Sequence, residues 1–424
     1  MGSENLWYII GMTLSEELTA RGFIYQFSAE SLTEILDGTK RTVYLGIDPT
    51  ADAIHVGNLV PFMMLNHIMK AGHKVILLMG GGTALIGDPS GRDTERELAS
   101  VEKIHGQCAG MEAGIRTLST GDITFVNNYD WLSKLSALDF MREVGKHFTV
   151  NAMIKKDSVS TRMESENGIS YTEFSYSLLQ AYDYLHLHQT MGADVQIGGS
   201  DQWGNLIAGV ELIRRTTSDT AYALTMPLIV DKATGKKFGK SMGNAVWLSR
   251  HKTTPFELYQ FWLNTSDESV IDYLKLFTFL HLADIEIIAA EHQNDPSKRH
   301  AQRRLATEVV GFVHGAAVIG IIERINGLLF GGETLIALSA DEVEMLRAEA
   351  PVTPVVSGTA LVDVLIAAEL ASSKREAREF IESGAVGIDD QTITDSMAMV
   401  TNTEWGALSI LRRGKKARAF IEIN

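Results

Sequence analysis

The stretch Tyr44–Leu59, YLGIDPTADAIHVGNL, contains an apolar strand, an Asp-Pro-Thr turn and a histidine directly before an apolar helix. With the preceding residues the strand reads RTVYLGI, a compact apolar run typical of a buried strand. The segment VGNLVPFMMLNHIMKAG has apolar residues at helical spacing, and Gly72 is placed to end that helix. Proline is tolerated in the first turn of a helix, so Pro61 indicates a helix that begins close to Gly57.

A second buried strand, HKVILLMGG, follows this helix. Strand, helix and strand in this order predict a βαβ unit and a parallel sheet. Ligands of such sheets bind at the carboxyl ends of the strands. The two loops found there, GIDPTADAIHVGN and GGGTALIGDPSGR, are therefore candidate binding loops.

The composition bounds the class of protein. The 424 residues are 45% hydrophobic and 21% charged, as expected for a globular chain of roughly two to four domains. The single cysteine, Cys108, excludes an internal disulfide and a cysteine zinc site, and fits a reducing compartment. Without an apolar run of roughly 18 residues, no membrane span is predicted. The net charge of −15 argues against indiscriminate nucleic-acid binding but allows one local basic surface.

Shifts in composition along the chain predict its domains. The opening MGSENLWYIIGM lacks the basic region of a signal peptide, so 1–11 are expected to be a leader. An α/β domain is expected at 12–249 and a helical domain at 250–350. The Pro/Thr/Gly-rich stretch around 351–356 predicts a linker, and 357–424 a last small unit.

Two short motifs carry candidate chemistry. Lys237-Phe238-Gly239-Lys240-Ser241 places two ammonium groups three residues apart on a glycine-containing loop, where they can follow charge that develops on a polyphosphate. His55-Val56-Gly57-Asn58 places hydrogen-bond donors at a helix N-terminus, which attracts anions. Taken alone, the first motif could be a solvated loop and the second an ordinary capped helix.

Together, HVGN and the KFGKS found about 180 residues later resemble HIGH and KMSKS, the signature pair of class I aminoacyl-tRNA synthetases. Asn58 stands for the second His, and Phe238-Gly239 for the usual Met-Ser. Five ordered segments narrow the resemblance to tyrosyl-tRNA synthetases of the bacterial or organellar type: YLGIDPTADAIHVGNL, GGGTALIGDPSGR, YTEFSYSLLQAYDYL, QIGGSDQWGN and KKFGKS. The ending SKREAREFIESGAVGIDDQTI…LRRGKKARAF resembles an S4-type RNA-binding domain.

The resemblance implies a fold, a reaction and partners. The fold is α/β, with a Rossmann-like doubly wound parallel sheet at 12–249, an α-helical anticodon-side domain at 250–350 and an α+β S4-like domain at 357–424. The tyrosine carboxylate attacks the α-phosphate of ATP, pyrophosphate leaves, and the tyrosyl group passes to the 3′-end of tRNA(Tyr). Mg²⁺ is expected with ATP, and no structural metal. A cytoplasmic homodimer is implied, its dimer region at 138–159.

The resemblance also assigns site residues. Tyr44 and Asp183 would bind the phenol of tyrosine. The other positions assigned to tyrosine are Asp88, Tyr176, Gln180 and Gln202. Tyr176, Gln180 and Asp183 fall on one face of a helix, at i, i+4 and i+7; the alternative is an ordinary core-facing stripe. No general base is needed, because the substrate carboxylate is already ionised near neutral pH.

The remaining assignments concern ATP and tRNA. The positions assigned to the leaving pyrophosphate are His55, Asn58, Lys237, Lys240 and Ser241. The positions assigned to ATP are Gly46, Asp48, Thr50, His55, Gly57, Asn58, Gly199, Asp201 and Lys240. Leu45 departs from the family pattern, since many relatives have a cysteine there whose thiol reaches the ribose. The basic positions expected to contact tRNA are Lys374, Arg375, Arg378, Arg412, Arg413, Lys415, Lys416 and Arg418.

Three other functions stay open on the sequence alone. One is tryptophanyl-tRNA synthetase, against which the pair Tyr44 and Asp183 favours a phenol substrate. A second is another nucleotidyltransferase with the same phosphate motif, which would not need the basic C-terminal unit. A third is an inactive synthetase that serves as an RNA-binding scaffold, and the presence of His55, Lys237 and Lys240 weighs against it.

Overall fold

The structure of the chain is a computed structural model. It describes residues 11–90, 99–164, 168–229, 232, 238, 240–241, 244–331, 338–389, 391–401, 408–414 and 417–424. Three predicted site residues lie outside this description: Lys237, Lys415 and Lys416. The predicted leader falls outside it as well, except for Gly11. Among the helices within these ranges, none has both the length and the apolar composition needed to cross a membrane.

The elements follow in chain order. The helices are α1 (Leu14–Arg21), α2 (Leu32–Leu36), α3 (Leu59–Lys70), α4 (Val101–Leu118), α5 (Tyr129–Leu132), α6 (Ala137–Asp139), α7 (Val150–Met153), α8 (Asp157–Met163), α9 (Tyr171–Met191), α10 (Trp203–Thr217), α11 (Pro255–Leu263), α12 (Val270–Phe277), α13 (Leu282–Asn294), α14 (His300–His314), α15 (Ala317–Asn326), α16 (Ala340–Glu349), α17 (Leu361–Ala367) and α18 (Lys374–Glu382). The strands are β1 (Gln26–Phe27), β2 (Thr42–Ile47), β3 (Lys74–Met79), β4 (Ile123–Asn127), β5 (Ala193–Gly199), β6 (Tyr222–Met226), β7 (Lys240–Ser241), β8 (Asn244–Ala245), β9 (Val352–Val355), β10 (Thr359–Ala360), β11 (Val386–Ile388), β12 (Gln391–Ile393), β13 (Met399–Val400), β14 (Leu408–Arg413) and β15 (Ala417–Ile423).

The opening stretch folds as its sequence predicts. RTVYLGI contains β2, and a short 3₁₀ turn at Val56–Asn58 leads into α3. The helix ends at Lys70, and Gly72 takes a positive φ of 87°, a conformation that glycine adopts without steric cost. HKVILLMGG contains β3, which pairs in parallel with β2, so the predicted βαβ unit is confirmed.

The six-stranded sheet is mostly parallel and has the order β1-β6-β5-β2-β3-β4. The short edge strand β1 is antiparallel to β6, and the other neighbours are parallel. From β2 the chain builds outward through β3 and β4, then returns to place β5 on the other side of β2 and β6 beyond it. The order therefore reverses between β2 and β5, and ligands bind at such a reversal in open α/β sheets.

The chain divides into two compact units. The first contains Met1–Thr253 and Gln260–Val313, and the second Thr254–Tyr259 and His314–Asn424. This division differs from the boundary expected near 249/250, because much of the predicted helical domain packs with the α/β part. The Arg21 guanidinium of α1, for example, donates hydrogen bonds to the backbone carbonyls of Lys275, Thr278 and Leu280, near the end of α12. Helix periodicity alone does not reveal such long-range packing.

The second unit contains a five-stranded mixed sheet with the order β12-β11-β14-β15-β9. The linker predicted at 351–356 was wrong, because this segment contributes β9, which pairs in parallel with β15. Pro354 misled the prediction, since proline in a short Thr/Pro run usually indicates a loop. Here β9 is an edge strand, where a residue without a backbone N–H is tolerated.

Candidate functional site

One cavity of about 830 Å³ lies where the strand order reverses, at the carboxyl ends of β2 and β5. Its size is that of a small-molecule site. The sequence-predicted residues that line it are Tyr44, Gly46, Asp48, Thr50, His55, Gly57, Asn58, Asp88, Tyr176, Gln180, Asp183, Gly199, Asp201 and Gln202. These residues come from separate segments of the chain, and the fold brings them around one space. The described part of the lining contains four aspartates and no lysine or arginine.

A buried polar pocket forms one end of the cavity. The Tyr44 side chain is fully buried, and its hydroxyl has no hydrogen-bond partner among the described residues. Asp183 of α9 is 1% exposed; its Oδ1 accepts a hydrogen bond from Trp131 Nε1 at 2.7 Å, and its Oδ2 accepts one from Asn128 Nδ2 at 2.8 Å. A fixed carboxylate and an unpartnered hydroxyl therefore face the same space, which suits a ligand with one hydroxyl group.

Burial also shifts the acid–base properties of this pocket. Desolvation raises the pKa of the Asp183 carboxyl to about 7, although the hydrogen bonds from Asn128 and Trp131 act in the opposite direction. Burial, with the neighbouring Tyr184 and Asp183, raises the pKa of Tyr44 well above its usual value, so its hydroxyl stays protonated. The pocket thus holds a group that changes its charge near neutral pH.

Four residues of this region were missed by sequence reasoning: Thr83, Asn128, Trp131 and Gln196. Asn128 is fully buried, accepts a hydrogen bond from Gly82 N at 2.7 Å and donates to Thr83 and Asp183. Gln196, whose Oε1 is buried without a described partner, lines the cavity beside Tyr44 in the sheet. The sequence gives only weak indications of these residues: two asparagines at the end of β4 and one glutamine inside an apolar strand. Leu45, the departure from the family pattern, also lines the cavity.

Two further carboxylates define another part of the cavity wall. Asp48 accepts hydrogen bonds from Thr83 Oγ1 at 2.8 Å and from the Tyr176 hydroxyl at 3.0 Å. Asp88 accepts one from Gln202 Nε2 at 2.7 Å. A Cβ at Gly80 would lie 2.0 Å from Asp48 Oδ1, so a side chain at this position would displace the carboxylate. This wall attracts a cationic group such as an ammonium.

The HVGN turn lies at another edge of the cavity. His55 Nδ1 accepts a hydrogen bond from the Gly57 N–H at 3.0 Å, and Asn58 Oδ1 accepts one from the His55 N–H at 3.2 Å. Both side chains therefore cap the turn, as the simplest interpretation of the motif predicts. With Nδ1 as an acceptor, a neutral His55 carries its proton on Nε2, and the Asn58 amide nitrogen is a further hydrogen-bond donor.

The lysine motif is described only in part. Phe238 lines the cavity, and the backbone of Lys240–Ser241 forms β7, which pairs with β8. The chain that follows returns to the HVGN turn, where Val56 N donates to Val246 O and Leu248 N to Ile54 O, at 2.9 and 3.0 Å. The two signature motifs are thus adjacent in space.

The basic positions of the C-terminal unit have different environments. Arg412 of β14 and Arg418 of β15 are directly opposite each other, so two guanidinium groups share one face of the sheet. The Arg412 guanidinium extends over Gly387 of β11 and donates a hydrogen bond to the Thr392 hydroxyl of β12 at 3.2 Å, on the side of β14 away from β15. Arg413 differs, because it donates to the Leu370 carbonyl at 2.8 Å and lies over the Phe380 ring.

The basic positions on α18 are exposed. Lys374 pairs with Asp363 at 2.7 Å, and Arg375 lies 3.6 Å from Glu379. Both are surface pairs that contribute little to stability and exchange readily with other anions. Within the described ranges, no group of three or more histidine, cysteine or carboxylate side chains could hold a metal ion.

Comparison with known proteins gives concordant results. Residues 37–328 match the family described as tRNA synthetases class I (W and Y), and residues 342–421 match a tyrosine–tRNA ligase SYY-like C-terminal domain. The chain is 45% identical over 415 residues to the tyrosine–tRNA ligase of Streptococcus mutans, covering 96% of this chain and 98% of that protein. The tyrosine–tRNA ligase of Pediococcus pentosaceus is also 45% identical, over 417 residues, with the same coverage of both chains.

A solved structure is similar as well. The structure of a C-terminally truncated mitochondrial tyrosyl-tRNA synthetase from Aspergillus nidulans superposes with a TM-score of 0.68 at 33% identity. The similarity covers 75% of this chain and 94% of that one.

Proposed function

Because this chain belongs to the class I tRNA synthetase family for tryptophan and tyrosine, and tyrosine–tRNA ligases are near full-length relatives, we propose how the residues around its cavity attach tyrosine to tRNA. The chain is an enzyme, a tyrosine–tRNA ligase that uses ATP. The proposal assigns a role in this reaction to each group of residues around the cavity.

The observation that carries the proposal is the buried pair at the end of the cavity. The substrate phenol donates a hydrogen bond to the Asp183 carboxylate and accepts one from the Tyr44 hydroxyl, which has no partner among the described residues. Phenylalanine would leave the buried Tyr44 hydroxyl without a partner and would give the Asp183 carboxylate no further hydrogen bond, which costs binding free energy. The enzyme therefore selects tyrosine through two polar atoms at the far end of its side chain.

The amino acid is held by its other end as well. Its ammonium group lies against Asp88, Tyr176 and Gln180, while Gln202 lies near its carboxylate. Tyr176 and Gln180 lie on the same face of α9 as Asp183, and all three line the cavity, so one rigid helix contacts both ends of the substrate. The carboxylate is thereby held for in-line attack on the α-phosphate of ATP.

The phosphates of ATP bind at the HVGN turn and the lysine motif. His55 Nε2 and the Asn58 amide nitrogen donate to phosphate oxygens, and the first N–H groups of α3 add a positive dipole end. Lys237, Lys240 and Ser241 stabilise the charge that accumulates on pyrophosphate as the bond to the α-phosphorus breaks.

The nucleoside occupies the rest of the cavity. The positions proposed to contact it are Gly46, Asp48, Thr50, Gly57, Gly199 and Asp201. Mg²⁺ arrives with ATP and neutralises phosphate charge. The sheet is used as in other Rossmann-like, doubly wound folds, with the ligands at the reversal of strand order.

Tyrosine-dependent exchange between ATP and pyrophosphate, measured without tRNA, tests the function directly. The expected result is strong exchange with tyrosine and little or none with phenylalanine or tryptophan, assayed side by side. Equal efficiency with tryptophan would favour the sister activity. Absence of exchange with all three would indicate an inactive RNA-binding protein.

The pKa of Asp183 predicts a pH dependence. Because its value of about 7 is raised, the carboxyl becomes protonated as the pH falls through 7, and it then loses the charge that strengthens its hydrogen bond from the phenol. We expect kcat/KM for tyrosine to fall roughly tenfold between pH 8 and pH 6, in proportion to the ionised fraction. In the Asp183→Asn variant this titration should vanish, whereas a flat wild-type profile would contradict the assignment.

The C-terminal unit is proposed to bind tRNA(Tyr) in the manner of S4-like domains. Arg412 and Arg418 give the structural support, since both side chains extend from one face of the sheet, where each can contact a phosphate. The other basic positions of this unit would add phosphate contacts around this pair.

Replacing Arg412 and Arg418 together with glutamine should raise KM for tRNA in the charging assay. The salt dependence of log KM should become shallower by about 1.5, because two phosphate contacts are lost. Arg116→Gln is a matched control, since Arg116 is an exposed arginine of α4 that pairs with Glu112. Exchange without tRNA should be normal in both variants, and unchanged charging by the double variant would show that RNA does not bind there.

A homodimer is proposed through residues 138–159. Leu138, Met141 and Val150 expose 83%, 50% and 62% of their surface, which is unusual for three apolar residues of one segment. A second copy covering this region would remove that apolar surface from water.

The cytoplasm, where the single cysteine would stay reduced, is the proposed location.

A further inference from the structure

The phenylalanine inside the lysine motif is more firmly held than a residue of a solvated loop would be. Phe238 is 9% exposed, and its ring contacts four aromatic rings of α11 and α12. The centroid distances are 4.9 Å to Tyr273, 5.2 Å to Phe277, 5.6 Å to Trp262 and 5.7 Å to Phe261. Aromatic pairs at such distances stabilise each other beyond the area that they bury.

The backbone of Phe238 is also held. Its N–H donates to the Ile229 carbonyl at 3.0 Å. Its own carbonyl oxygen lies 3.3 Å from the place where a Cβ of Gly57 would stand, so the backbones of the two signature motifs pack directly against each other. A side chain at Gly57 would press on this contact.

The aromatic cluster is itself attached to the α/β part of the same unit. Helix α12, which carries Tyr273 and Phe277, is followed by the carbonyls of Thr278 and Leu280, and both accept hydrogen bonds from the buried Arg21 guanidinium of α1. The helix that carries much of the surface against the Phe238 ring is therefore tied to α1 by buried hydrogen bonds.

From these contacts we infer that Phe238 is a positioning residue for activation, which holds the lysine motif against the HVGN turn. Lys240 is two residues beyond Phe238, so its Cα lies within about 7 Å of the anchored one. Lys237 is the direct neighbour of Phe238. The inference rests on the proposed role of these lysines in stabilising pyrophosphate. Phe238 lines the cavity but its side chain has no polar group for tyrosine or phosphate, and it acts by limiting where the two ammonium groups can go.

The test compares two buried phenylalanines of the same unit. Phe238→Leu and Phe23→Leu make the same chemical change, and Phe23 contacts the His67 ring of α3, with no ring contact to the Phe238 cluster among the described residues. Both variants should unfold at a lower temperature than the wild type. Only Phe238→Leu should lower kcat for exchange, by tenfold or more, with KM for tyrosine changed less than twofold.

A second measurement separates positioning from general loosening. Because Phe238 is inferred to act partly through Lys240, the double variant Phe238→Leu/Lys240→Ala should lose less activity than the product of the two single losses. Phe238→Met keeps an apolar side chain of similar length, and its kcat should be close to that of the wild type. This variant also serves as the test if Phe238→Leu fails to fold.

If the wild type shows tyrosine-dependent exchange, the proposed function stands, and two results would then overturn the inference about Phe238. One is an unchanged kcat in Phe238→Leu. The other is a double variant whose losses multiply. Absence of exchange in the wild-type enzyme would instead refute the proposed function itself.

Discussion

Replacing Asp183 with alanine should lower kcat/KM for tyrosine on the order of 100-fold, because the phenol loses a hydrogen bond to a charged acceptor in a site closed to water. The indole N–H of Trp131 and the amide of Asn128 lose their acceptor as well, and each unpaired buried donor adds to the cost. Exchange of ATP with pyrophosphate at varied tyrosine concentration measures the effect.

The preference for tyrosine over phenylalanine gives a sharper readout than the loss of activity. Alanine at position 183 removes the group that penalises a ligand without a hydroxyl, so the ratio of the two kcat/KM values should shrink. Asp183→Asn is the matched control: it keeps the shape and one carbonyl acceptor, and should lose less than alanine does. An unchanged ratio in Asp183→Ala would mean that the phenol binds elsewhere in the cavity.

Replacing Lys240 with alanine should lower kcat for exchange by roughly 100- to 1,000-fold, the range typical for removal of one group that stabilises developing charge. The described wall of the cavity contains four aspartates and no lysine or arginine, so in the proposed function the lysine motif is an important source of positive charge for pyrophosphate. KM for tyrosine should stay within about twofold, because the phenol pocket is at a different end of the cavity.

Lys232→Ala is a suitable control for this change. Lys232 belongs to the same polar stretch of sequence, but it pairs with Asp272 on the surface. Its removal should leave kcat unchanged, and Lys240→Arg should recover part of the activity because the charge is kept. A large rise in KM for tyrosine in Lys240→Ala would contradict the proposed division between tyrosine and phosphate ends.

Local patterns explain why much of the site could be predicted. The run RTVYLGI, the helix after HVGN and the stripe Tyr176, Gln180 and Asp183 each depend on the spacing of residues within one element, and spacing is visible in a sequence. The rule that ligands bind at the carboxyl ends of parallel strands then predicted that these separate segments line one site.

The errors and omissions have a common physical cause. Asn128 and Trp131 reach Asp183 from positions 55 and 52 residues away, across the connection that follows β4. The strand β9 exists because β15 offers it an edge, which a Pro/Thr-rich sequence does not reveal. Each of these depends on a partner that is distant in the chain.

The sequence by itself determined the parallel α/β core, the HVGN and lysine motifs and the face of α9 that lines the cavity, because these follow from short-range periodicity and residue chemistry. Only the tertiary structure decided which donors fix the Asp183 carboxylate, and which rings enclose Phe238. The donors to Asp183 come from elements that are distant in the chain. The same elements bury the pocket, which raises the pKa of Asp183 and leaves the Tyr44 hydroxyl without a described partner. The packing of α11 and α12 sets the second, and the Phe238 carbonyl oxygen lies close to Gly57 of the HVGN turn.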